Sequence, residues 1–233
     1  MDARRLTFIE HLEELRHRLL VCVAAVLVGS VVAYTQAGRI LQWLARPVGR
    51  LIFVSPFEAF TAYLHIAIVG GVALALPVVL FEVWRYVGPA LSPRERRWLL
   101  GGFAASIGLF LSGVAVAYVV VIPLGVRFLL SFANETLQPM IAVGQYVGTV
   151  GWMLLAFGLV FQLPIVLVLL AAFGLVTAAQ LAGLRPYAVV AIFIVAAAVT
   201  PGPDVLSQIS IAAPMWALFE ASIWLIRMVK PHG

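Results

Sequence analysis

Charge is what this sequence has least of. Only 11% of its 233 residues are Asp, Glu, Lys or Arg, against about 25% in an average soluble domain. Hydrophobic residues make up 64% and the mean hydropathy is +1.09, which excludes a soluble globular domain and predicts a polytopic membrane protein. Lysine is nearly missing: Lys230 stands alone beside fourteen arginines. The single cysteine, Cys22, excludes an internal disulfide and, inside an apolar run, reads as a small buried hydrophobe. A formal charge of +5 would suggest nucleic acid in a soluble chain, but in a membrane protein basic residues mark cytoplasmic loops, and no nucleic-acid partner is expected. His11, His17, His65 and His232 are scattered, with no HExxH or paired spacing for a metal. Ser112 has no base near it at comparable depth, and there is no phosphate loop or dinucleotide fingerprint, so neither a cofactor nor an enzyme is expected. The first eighteen residues are too acidic, and lack the small-residue cleavage site, for a signal peptide; the chain is expected to stay whole.

What is present is helix punctuation between long apolar runs. Thr7-Phe8-Ile9-Glu10, Ser55-Pro56-Phe57-Glu58 and Ser92-Pro93-Arg94-Glu95 have the form of capping boxes, and Thr177-Ala178-Ala179-Gln180 is a fourth. In each, a hydroxyl residue takes the N-cap and Glu or Gln at N3 reaches back to its N–H; Pro suits the first helical position. Phe8, Leu12, Leu15 and Leu19 form one apolar stripe opposite Glu10, Glu13, Glu14, Arg16, His17 and Arg18. Residues 1–18 are therefore expected to be an amphipathic cytoplasmic lead along the interface that turns into the first span.

Six spans follow in a membrane domain of residues 19–230, at about 19–37, 59–86, 98–122, 148–173, 187–199 and 205–226, with 231–233 a short tail. Pro77 should kink the second and Pro123 close the third. Gly101, Gly102, Gly108 and Gly113 would permit close helix contacts. The six tryptophans, Trp43, Trp84, Trp98, Trp152, Trp216 and Trp224, fall mostly near span ends, as an aromatic belt would place them. The fifth run, about 20 Å long at 1.5 Å per residue, is short for a hydrocarbon core of about 30 Å. Asp204, after Thr200-Pro201, can cap the sixth. Eleven of the fifteen basic residues lie in segments on the N-terminal side and four on the other, so both termini are expected to be cytoplasmic.

The collinear set of motifs resembles one family. His11-Leu12-Glu13-Glu14-Leu15-Arg16 is similar to the HLxELR signature that opens the TatC family, the multispan core of the twin-arginine translocase. Ser55-Pro56 with Glu58, Trp84 through Pro89-Ala90-Leu91 to Glu95-Arg96, and Phe157-Gly158 through Phe161 to Pro164 match in order. Arg185-Pro186-Tyr187 and Thr200-Pro201 with Asp204, Ser207-Gln208 and Pro214 complete the set. The resemblance implies an all-α protein of the bacterial cytoplasmic (inner) membrane: six transmembrane helices in a concave bundle with short fifth and sixth spans. It further implies a receptor for the twin-arginine signal peptides of folded cargo. Such a receptor assembles with TatB-like and TatA-like single-span partners and with further copies of itself, and transport is driven by the proton-motive force.

Carried over by position, Glu14 and Glu95 match the acidic residues that receive the arginine pair, with Arg16 and Arg96 beside them. Carboxylates suit that task because guanidinium groups pair with them bidentately and lysine does not. The residues alone leave another reading open, in which Glu14 pairs with Arg18 at i+4 and Glu95 only closes its capping box. Gln162, Gln208 and Glu220 are polar groups in apolar runs; with Pro47 they form a second set, expected at partner or intramembrane contacts. Gln162 stands where the family often has Glu, so a titrating role there is in doubt while a neutral partner contact survives. Ser55, Pro56, Glu58, Ser92 and Asp204 are expected as caps and loop-shaping residues. A secondary transporter would show repeated halves, which the local echo of Ser-Pro-x-Glu at 55 and 92 does not supply.

Overall fold

The computed structural model describes residues 8–90, 99–134, 138–199 and 205–229. Ser92, Glu95, Arg96 and Asp204 lie outside the described residues. Among those described, every regular element is helical. The helices are α1 (Phe8–Thr35), α2 (Ala37–Ala45), α3 (Pro56–Val87), α4 (Leu99–Val116), α5 (Ile122–Leu130), α6 (Val143–Val160), α7 (Leu163–Ala172), α8 (Ala178–Gly183), α9 (Arg185–Val199) and α10 (Val205–Val229).

Among the described residues five helical stretches are long and apolar enough to cross a membrane, and α9 is a shorter sixth. Their backbones are self-satisfied, which hydrocarbon requires. At 15 residues α9 is the short one; α10 runs for 25 residues, so among the last two helices shortness belongs to the fifth span alone. The apolar run of α10 simply continues through Arg227 to Val229.

The expected turn between an interfacial lead and the first span is absent: α1 is one helix from Phe8 to Thr35. Nor does its apolar stripe face the protein. Leu12, Leu15 and Leu19 are exposed, whereas Arg18, Gly29 and Ala33 are buried against α3 and Cys22 is half-buried. The α1–α3 contact is close because it is made by small residues. A Cβ on Gly29 would lie 2.7 Å from the Gly71 carbonyl oxygen, and one on Gly70 2.9 Å from the Ala33 Cβ.

Prolines shape the middle of the bundle without ending it. At Pro123 the chain does not stop; residues 117–121 widen into a π-turn and α5 carries on to Leu130. A proline cannot donate to the carbonyl four residues back, and a widened turn followed by a new first turn accommodates it. Pro164 acts alike: the fourth span breaks at Phe161–Gln162 into α6 and α7, with Pro164 in the first turn of α7. That span begins at Val143, five residues before the expected start.

The core is centred on α6. Val143, Tyr146, Val147, Val150, Met153, Leu154 and Phe157 recur at helical spacing and are buried by packing against α2, α3, α4 and α9. Ala171, Leu181, Ile223 and Ile226 form a smaller cluster joining α7, α8 and α10. Gly102 and Gly113 sit at tight contacts, under Trp84 and beside the Phe157 carbonyl, while Gly101 and Gly108 face open space.

Candidate functional site

At the end where α1 begins and α3 finishes, one guanidinium is shared by two carboxylates. The Arg18 Nη1 donates to Glu82 Oε2 at 2.8 Å and its Nη2 donates to Glu14 Oε1. Arg18 and Glu82 are each 11% exposed at the side chain, whereas Glu14 is 30% exposed. The Arg18 guanidinium also lies 6.0 Å from the ring centre of Tyr86. A cation buried to this degree requires counter-charge, and two helices supply it, α1 through Glu14 and α3 through Glu82.

Beside this triad opens a groove of about 660 Å³. Glu14, Arg18 and the exposed Arg85 form its polar side; Phe81, Trp84, Leu100 and Phe103 form its apolar wall. A carboxylate at the lip of an aromatic wall can hold a cationic group whose neighbours are apolar. Arg16 is exposed and is not among the groove-lining residues.

The groove wall is tied to the break in the fourth span. Trp84 Nε1 donates to Ser106 Oγ at 3.0 Å, and Ser106 Oγ donates to the Gly102 carbonyl at 2.8 Å. Gln162 Nε2 donates to the Ser106 carbonyl at 3.0 Å. Ser106 is fully buried, so these bonds are made away from competing groups. Trp84 thus packs on Gly102 and is tied into the bundle by a hydrogen bond.

The remaining polar residues are dispersed. Arg185, which opens α9, makes a two-bond pair with Glu220 of α10, Nε to Oε1 at 2.7 Å and Nη2 to Oε2 at 2.8 Å. Glu220 therefore has a fixed partner on α9. Gln208 donates to the Phe193 carbonyl at 3.0 Å, stitching α10 to α9. Pro47 is half-buried in the turn after α2, so the structure does not bring Pro47, Gln162, Gln208 and Glu220 into one site.

At the far end, Glu58 behaves as more than a cap. Its carboxylate accepts from Val54 N at 2.8 Å and from Gly144 N at 2.9 Å, joining the start of α3 to the start of α6. Ser55 takes the N-cap position ahead of Pro56 but makes no side-chain cap bond, a departure from the expected box. Residue 52 bridges the same strap, with Ile52 N donating to the Ile141 carbonyl at 3.0 Å and Val143 N to the Ile52 carbonyl at 2.7 Å. Tyr118 and Tyr146 donate to the Trp43 and Leu44 carbonyls of α2.

Sequence reasoning missed Glu82, and took Arg18 only as an alternative partner for Glu14. The available signal was a carboxylate flanked by Phe81 and Val83 in an apolar run, since such a group demands a partner. Among the described residues no group of three His, Cys, Asp or Glu side chains could hold a metal.

The comparisons with known proteins converge. The family profile for the Sec-independent protein translocase protein (TatC) matches residues 10–214. The Sec-independent protein translocase protein TatC of Carboxydothermus hydrogenoformans is 40% identical over 235 residues, spanning 99% of this chain and 97% of the relative. That of Aquifex aeolicus is 37% identical, spanning 93% and 92%. A crystal structure of the twin arginine translocase receptor TatC superposes with a TM-score of 0.83 at 36% identity, covering 94% of this chain and 98% of that one. A second crystal structure of that receptor, in DDM, gives 0.84 and covers 93% and 99%.

Proposed function

Because the chain belongs to the TatC family of Sec-independent protein translocases, we propose that it is the signal-peptide receptor of a twin-arginine export system. The observation that carries this reading is the groove at the α1–α3 mouth. It offers Glu14 at a water-accessible lip and an aromatic wall of Phe81, Trp84 and Phe103 behind it. The arginine pair of a cargo signal peptide docks at Glu14 and Glu95, with Arg16 and Arg96 nearby. Its apolar stretch continues along the concave bundle face toward Gln162. The protein does this as a non-enzymatic receptor, with both termini in the cytoplasm of a cell whose inner membrane it spans, as the eleven-to-four distribution of basic residues supports.

Single-span TatB-like and TatA-like proteins, and further copies of this chain, are its partners, and the proton-motive force drives transport. Gln162 and Gln208, which stitch neighbouring helices together, are the polar points at which partner helices pack. Photo-crosslinking from positions 14 and 95 to a signal peptide carrying either Arg-Arg or Lys-Lys tests the reading in membranes. Crosslinks that form with Arg-Arg, and fade both with Lys-Lys and with Glu→Ala at the neighbouring position, are the expected result. Equal crosslinking of both peptides would reduce the two glutamates to helix caps and remove the receptor assignment.

A further inference from the structure

We propose that Arg18 is a built-in stand-in for the incoming arginine, and that Glu82 tunes the groove by keeping Arg18 half detached from Glu14. The inference rests on the reading of Glu14 as the guanidinium acceptor and adds to it the residue that governs its availability.

The geometry carries it. Arg18 spends one N–H on each of two carboxylates, and its Nε is buried with no hydrogen-bond partner. That is a poor use of a guanidinium, whose fork pairs best with both oxygens of a single carboxylate. The same chain shows the better arrangement at Arg185, where Nε and Nη2 bind the two oxygens of Glu220. Arg18 has been drawn out of such a pair by Glu82. Removing Glu82 would release it to close on Glu14.

Charge and burial point the same way. Among the described residues the triad holds two carboxylates and one guanidinium, so a second guanidinium arriving at Glu14 leaves each carboxylate with a cation. An incoming group can reach Glu14, the more exposed carboxylate, but not Glu82 behind Arg18. When it takes Glu14, Arg18 keeps its bond to Glu82, so no buried charge is stranded. Without Glu82 the same exchange would leave Arg18 buried and unpaired, which is strongly unfavourable. Arg85, the other described cation lining the groove, is exposed and screened by water and salt.

The test is equilibrium binding of a fluorescent Arg-Arg signal peptide to the full-length protein in nanodiscs, for wild type, E14Q, E82Q and R18Q/E82Q. E82Q is expected to bind about tenfold more weakly, the equivalent of one hydrogen bond to a charged group. R18Q/E82Q, which removes the internal competitor as well, is expected to recover most of that loss. A purely structural Glu82 would give no such rescue. Wild-type affinity in E82Q, or a double variant no better than E82Q, overturns the proposal. If E82Q does not fold, the charge-balanced double variant decides: near-wild-type binding supports the stand-in and weak binding overturns it. Undiminished binding by E14Q would overturn the receptor site itself and this inference with it. Loss in E14Q with normal E82Q binding removes this inference alone.

Discussion

Gly71→Ala is the substitution whose cost can be worked out most directly from the structure. A Cβ on Gly71 would sit 2.6 Å from the Ser30 backbone nitrogen and 2.7 Å from its Cα. Ordinary contacts begin at 3.4 Å, so the first is short by about 0.8 Å. The Ser30 Oγ is nearer still and can rotate away, but the nitrogen and Cα belong to the α1 backbone, so no rotamer change relieves them and the two helices must separate. Overpacking of this kind costs about 1–3 kcal/mol, and a backbone-on-backbone clash belongs at the upper end. At roughly 2–4 °C per kcal/mol for a chain of this size, the melting temperature should fall by about 6–12 °C. The same separation pulls Arg18 away from Glu82, so peptide binding should weaken as well. The assay is tryptophan fluorescence during a thermal ramp in mild detergent, with Gly101→Ala as the control. Gly101 lies in α4 facing open space, and there Ala should be neutral or stabilising by helix propensity. An unchanged melting temperature in Gly71→Ala, or an equal fall in Gly101→Ala, would refute the close-crossing account.

Glu58→Ala removes the shared acceptor of the Val54 and Gly144 amides; hydrogen exchange at both is expected to accelerate together, and protection lost at Val54 alone would mean a simple cap. Exchanging the partners of the α9–α10 pair, R185E/E220R, is expected to restore thermal stability that either single change lowers; no recovery in the double variant would show that their pairing is not what matters. Gln162→Glu replaces the amide that donates to the Ser106 carbonyl with a carboxylate that has no donor when ionised. Thermal unfolding at pH 8 is expected to show a loss of about 1–3 kcal/mol, and an unchanged midpoint would refute a structural role for that bond.

What could be read ahead of the structure was what depends on near neighbours in the chain. The Thr177–Gln180 capping box forms as expected, the Thr177 hydroxyl accepting from Gln180 N at 3.2 Å and the Gln180 side chain from Thr177 N at 2.9 Å. The similar pattern at Ser55 does not close: the Glu58 N–H donates to the Ser55 carbonyl at 3.0 Å and not to its hydroxyl, while the Glu58 carboxylate also reaches Gly144, 86 residues away. Glu82 stayed hidden for the same reason, since its partner Arg18 is 64 residues distant. The stripe of Leu12, Leu15 and Leu19 misled in another way. In water an apolar stripe faces the protein; in a bilayer it can face lipid, and the small residues and Arg18 turn inward instead. Pro123 was expected to end a span because periodicity carries no sign of a widened turn.

The two ends of the bundle are held by different chemistry, and the difference bears on which of them can respond to a ligand. At the far end nearly every described tie includes a backbone group: Glu58 to two amides, Tyr118 and Tyr146 to the carbonyls of α2, Ile52 to Ile141 and Val143. A backbone partner cannot swing away without moving a helix, so these ties fix the starts of α3 and α6. At the mouth the tie between α1 and α3 is a side-chain ion pair, and a guanidinium can be traded for another guanidinium with the helices left in place. Among the described residues the bundle is thus clamped through backbone at one end and held by an exchangeable ion pair at the other. On the proposed receptor reading, the Glu14–Arg18–Glu82 triad is the element through which binding would be felt.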